Sequence, residues 1–119
     1  MTLLDELTRI AEVEFSAIVT GAQAVEPKRR IFLSDGSFVD VWVSLRLPDR
    51  FGFHWERRHL DGTVYRYDNF PDVEWRMVPT FPHHFHDGSD SRVVSSPFPS
   101  DTREGFRAFL AFVAARLAG

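Results

Sequence analysis

The chain has 119 residues, 44% hydrophobic and 26% charged, which is ordinary globular usage and enough for one hydrophobic core, so disorder is not expected. A formal net charge of −3 argues against a domain that coats duplex DNA, yet leaves room for a local basic site handling one phosphate. No cysteine is present, which excludes disulfides, zinc-thiolate sites and thiol catalysis, and no stretch is long and apolar enough to span a bilayer; the expectation is one soluble, cytoplasmic domain over residues 1–119.

Thr2 is placed to cap a first helix reaching about Glu14, because Leu3, Leu7, Ile10 and Ala11 recur at helical spacing and Asp5 sits in the first turn. Packing on the chain's own sheet is a simpler use of that stripe than docking to a partner helix. Phe15–Thr20 reads as the start of a first strand, with a bend or bulge at Gly21. Two hairpins follow, each turning at Asp-Gly, the strongest short hairpin signal. With Asp35 and Gly36 as central turn residues, Leu33 faces Phe38, Phe32 faces Val39 and Ile31 faces Asp40. The core face is then Phe32, Val39, Val41, Val43 and Leu45, with Asp40 and Ser44 on the other. The same register around Asp61-Gly62 pairs Arg58 with Tyr65, Glu56 with Tyr67, and His54 with Asn69. It also opposes Arg57 to Arg66, a pair that needs an anion between the guanidinium groups: a neighbouring carboxylate is the simpler partner, a substrate phosphate the functional one.

Pro79-Thr80-Phe81-Pro82-His83-His84-Phe85-His86 then gathers three of the five histidines into four positions, after two prolines that forbid an ordinary helix and before Gly88, which permits a sharp exit. As a loop curling over the second hairpin, it brings its rings to Asp68 and Asn69; if extended, His84 and His86 face one way and His83 the other. Its plainest role is a surface loop pinned by Phe81 and Phe85. Arg92–Ser95 adds a short strand, and Asp101 with Glu104 caps a closing helix whose stripe is Phe106, Phe109, Leu110, Val113 and Leu117. The fold class is α+β: a mainly antiparallel sheet built from two hairpins, with an N-terminal and a C-terminal helix.

No Gly-rich phosphate loop, nucleophile motif or paired-His helix signature is present, which leaves acid–base work. Cleaving RNA needs a base for the ribose 2′-hydroxyl, an acid for the leaving oxygen and cationic donors for the charge on phosphorus. His84 and His86 are candidates for the first two roles, with His83 beside them; Arg58, Arg66 and His54 are candidates for binding phosphate, and Tyr67, Asp68 and Asn69 for orienting. This scheme requires no metal or cofactor. Two alternatives remain open: a divalent metal held by His84, His86 and Asp68, and a partner-binding surface without chemistry.

Ser34-Asp35-Gly36-Ser37, His54-Trp55, Asp61-Gly62, Arg66-Tyr67-Asp68-Asn69 and Phe81-Pro82-His83-His84-Phe85-His86, in that order, resemble the TumE family of bacterial toxin–antitoxin proteins. The resemblance implies a small toxin relieved by a cognate helix-turn-helix antitoxin, and it points to Tyr67, Asp68, Asn69, His83, His84 and His86. The ribonuclease step rests on the residues rather than on the resemblance, and the oligomeric state is left open.

Overall fold

Alternation of apolar and polar residues along most strands gives the sheet one face for a core and one for charge. The computed structural model describes residues 1–119. Its strands are β1 (Val19–Val25), β2 (Lys28–Leu33), β3 (Phe38–Val43), β4 (Phe51–Arg57), β5 (Thr63–Asp68), β6 (His84–Gly88) and β7 (Val93–Ser95). They form a seven-stranded sheet in chain order, each strand antiparallel to the last. Two helices, α1 (Leu3–Glu14) and α3 (Thr102–Ala118), pack on one face, and a single turn, α2 (Arg58–Asp61), joins β4 to β5.

Each long helix starts where its cap dictates. Thr2 and Asp5 bond each other's backbone N–H in a capping box, and the Asp101 carboxylate accepts from the Glu104 N–H. The core is aromatic: Phe51 stacks on Phe53 at 4.6 Å, Phe53 meets Phe106 edge-on at 5.0 Å, and all three are fully buried. Burying each such side chain contributes about 1.5–3 kcal/mol. Trp55 satisfies its indole N–H on the Ser37 hydroxyl at 2.9 Å.

The α+β architecture matches the sequence expectation, but both hairpin registers differ from it. Around the first turn the pairs are Phe32 with Phe38, Ile31 with Val39 and Arg30 with Asp40. The Asp35 carboxylate accepts from Ser37 N–H at 2.9 Å, and Gly36 adopts a φ of 90°, so the loop holds three residues rather than two. Ile31 therefore points into the core in place of Phe32. Leu45, expected on the core face, lies beyond the end of β3 and is 96% exposed.

Around the second turn, α2 and a left-handed Gly62 (φ 80°) replace the tight turn. His54 pairs with Arg66, Trp55 with Tyr65 and Phe53 with Tyr67, so the expected pairs of Arg58 with Tyr65, Glu56 with Tyr67 and His54 with Asn69 do not form. Arg57 and Arg66 are not opposed. Arg57 pairs with Asp35 and Asp61, and Arg66 with Asp68, so carboxylates answer both guanidinium groups. The first strand begins at Val19 rather than Phe15, and its register does shift between Val19 and Gly21. The histidine segment is not a loop from His84 onward, because β6 pairs directly with β5.

Candidate functional site

The face without helices carries two cross-strand rows. Arg30, Asp40, His54, Arg66 and His86 are successive partners from β2 to β6, and Trp42, Gly52, Asp68 and His84 form the row beside them. Register alone therefore sets Arg66 between two imidazoles, and Asp68 beside His84. Gly52 supplies the space this requires: a Cβ there would stand 2.5 Å from Arg66 Nη2. Over that glycine the guanidinium lies back to donate from Nε to Asp68 Oδ2 at 2.7 Å.

Asp68 is the buried hub. Its Oδ1 accepts from the Phe70 N–H at 3.0 Å and lies 3.2 Å from His84 Nε2, while His86 Nε2 stands 3.9 Å from Oδ2. His84 Nδ1 bonds the Pro82 carbonyl at 2.9 Å, and His86 Nδ1 bonds the Asp90 carbonyl at 2.9 Å. A carbonyl only accepts, so each Nδ1 carries a proton and each Nε2 is the position left for chemistry. Trp75 stands over the pair, its ring 5.9 Å from that of His86 and perpendicular to it. The resulting cleft, about 330 Å³, is bounded further out by Asp72, Glu74 and Asp90.

Burial alone would raise the Asp68 pKa, but the bond to His84, the Arg66 charge and the Phe70 N–H outweigh it and hold the carboxyl below its ordinary value. Burial works against the charged form of His84 too; there the bond and charge of Asp68 win, and the pKa lies above the usual imidazole value. His54 goes the other way. Its burial dominates, Arg66 and Arg58 add to it, and the hydrogen-bonded Glu56 only partly compensates, so its pKa is lowered.

The structure thus brings together Asp68, His84, His86, Arg66 and, across Arg66, His54. It does not bring Tyr67, His83 or Asn69 to that face. Tyr67 points to the helix side, donating to the Pro99 carbonyl at 2.9 Å and accepting from His83 Nδ1 at 3.0 Å; burial pushes its pKa up to about 12. Asn69 ties strand ends, accepting from Phe51 N–H at 2.9 Å and donating to the Asp49 carbonyl at 2.5 Å. Arg58 is a rim residue, 54% exposed and paired with Glu56 and Asp90. Sequence reasoning missed Gly52 and Trp75. A glycine inside a strand marks a close approach, and that signal was available for Gly52.

Compared with known proteins, residues 2–117 match the family model described as Toxin TumE. No curated protein and no solved structure matches the chain.

Proposed function

The chain belongs to the TumE family of toxins, and from that membership we propose that it is the toxin of a type II toxin–antitoxin pair, a ribonuclease that needs no metal and is neutralised by a cognate helix-turn-helix antitoxin. One observation carries the ribonuclease reading: Arg66 lies between His54 and His86 on one face of the sheet. With strands about 4.8 Å apart, the two histidine backbones are about 10 Å from each other, a span that admits a phosphate with a proton acceptor on one side and a donor on the other.

His84 is only 2% exposed and serves from beneath, whereas His86 at 11% and Arg66 at 30% reach the cleft. Neither Nη nitrogen of Arg66 is hydrogen-bonded to the protein, so both remain for phosphate oxygens. In this scheme His54, kept neutral by burial, takes the proton from a ribose 2′-hydroxyl. The 2′-oxygen bonds to phosphorus, the P–O5′ bond breaks, and the leaving oxygen takes the Nε2 proton of His86 in its imidazolium form, whose Nδ1 proton stays hydrogen-bonded to the Asp90 carbonyl. Arg66 stabilises the charge that gathers on the non-bridging oxygens. Trp75, which lines the cleft, offers an aromatic ring to a flanking base.

Purified protein incubated with RNA and excess chelator tests this directly. The expected products carry 2′,3′-cyclic phosphate and 5′-hydroxyl ends, and His54→Gln or His86→Asn lowers the rate by about 10²-fold or more with the circular dichroism unchanged. Intact RNA under every condition, or cleavage abolished by the chelator, overturns the reading.

A further inference from the structure

We infer that Asp68, His84 and His86 form a binding site for a single zinc ion, independent of any RNA chemistry. The ligand atoms of the three side chains all lie within 4.8 Å of one another. His84 Nε2 and Asp68 Oδ1 are 3.2 Å apart. Ligand atoms bound to tetrahedral zinc at 2.0–2.1 Å are about 3.3 Å apart, so two of the three are already at that spacing. The third, His86 Nε2, stands 3.9 Å from Asp68 Oδ2 and within 4.8 Å of the other ligand atoms.

The surroundings fit a metal as well. Zinc-bound imidazoles usually donate their other ring N–H to a carbonyl or carboxylate, which fixes the tautomer. Both histidines do so here, through Nδ1 to Pro82 and Asp90. Arg66 holds Oδ2 and the Phe70 N–H holds Oδ1, so the carboxylate is oriented from outside the ligand set. Asp72, Glu74 and Asp90 share the cleft with Asp68, four carboxylates of which Arg66 answers Asp68 and the rim residue Arg58 answers Asp90. That balance attracts a dication, with a water completing the four ligands. On binding, zinc takes the place of the proton that His84 shares with Asp68, and the proton passes to solvent.

The inference is separable from RNA cleavage because its readout is the metal itself. Chelator-treated protein titrated with zinc chloride in a calorimeter is expected to bind one equivalent, and the affinity falls at least 10-fold in His86→Ala and in Asp68→Asn, while His59→Ala, remote from the cleft, matches the parent. Nitrogen chemical shifts guard against a folding artefact: on zinc addition to the parent, Nε2 of His84 and His86 move and the ring nitrogens of His54, His59 and His83 do not. No heat and no shift at millimolar zinc, or binding retained in His86→Ala, overturns the inference. If RNA is cleaved without metal, zinc at this site inhibits by holding His86; if RNA is not cleaved at all, the zinc result stands alone.

Discussion

Replacing Gly52 by alanine separates the fold from the site. Gly52 lies within β4 opposite Asp68. Its new Cβ would stand 2.5 Å from Arg66 Nη2 and 3.2 Å from Cζ, with Asp68 Cβ at an ordinary 3.6 Å. Non-bonded heavy atoms settle at about 3.5–4.0 Å, so the guanidinium must retreat by about 1 Å. The Nε bond to Asp68 at 2.7 Å does not survive that movement, and the side chain, already 30% exposed, turns to water. Losing a hydrogen bond to a charged group costs about 1.5–3 kcal/mol when buried, and about 1 kcal/mol after solvent screening at this exposure. Removing glycine from a strand returns about 0.5–1 kcal/mol. Net stability in urea therefore changes by less than about 1 kcal/mol, while RNA cleavage falls at least 10-fold because the phosphate has lost its anchor. A loss above about 3 kcal/mol would mean that the Cβ meets something less yielding than a side-chain tip. Unchanged cleavage with Arg66 displaced would remove Arg66 from the reaction.

Arg58 donors, together with the His54 ring, hold Glu56 at about 2, below its ordinary 4.5. Because the folded value is the lower one, the stabilisation is complete above about pH 4.5 and is lost as the pH falls through about 2. The gap sets an upper limit of about 3 kcal/mol, which screening of the half-exposed Arg58 reduces to about 1–2. Glu56→Gln should thus cost about 1–2 kcal/mol in urea titrations at pH 7 and distinctly less at pH 3; an equal cost at both would refute the ionic account. Phe109 is fully buried, with its ring 5.6 Å from Phe98 and 6.1 Å from Phe53. Phe109→Ala should lose about 3–5 kcal/mol, and a loss under 1 would contradict the seat of α3 on the sheet.

Much of this was legible in the chain. The capping residues Thr2 and Asp101, the apolar stripes of α1 and α3, and the patterns of β2 to β5 placed their elements, because each is a local signal read over a few residues, whereas β1 was expected to start at Phe15 and β6 was expected as a loop. The opposite orientation of His83 from His84 and His86 was also readable, being a property of any extended segment. Loop length was not. At Asp35-Gly36 a side-chain bond to Ser37 makes the turn one residue longer, and at Asp61-Gly62 the glycine ends a helical turn instead of forming a hairpin corner. The seating of Arg66 over Gly52 and the convergence of two Nε2 atoms on Asp68 depend on register, so they became visible only with the sheet.

Register parity is the step on which the site turns. A two-residue corner at Asp61-Gly62 would set Tyr67 against Glu56 and Tyr65 against Arg58, and would send Arg66 and Asp68 to the face covered by α1 and α3. A guanidinium and a carboxylate would then enter an aromatic core, where charges lose several kcal/mol each to desolvation, and two tyrosine rings would face water. The observed pairing sets Trp55 against Tyr65 and Phe53 against Tyr67 instead. The alternation of Phe51, Phe53 and Trp55 with Tyr65 and Tyr67 therefore selects the register through burial, and the same choice delivers Arg66, Asp68, His84 and His86 to the open face. Core packing and site assembly are in this sense one constraint: a substitution that weakens aromatic pairing between β4 and β5 should loosen the Asp68 cluster even though it touches none of its members.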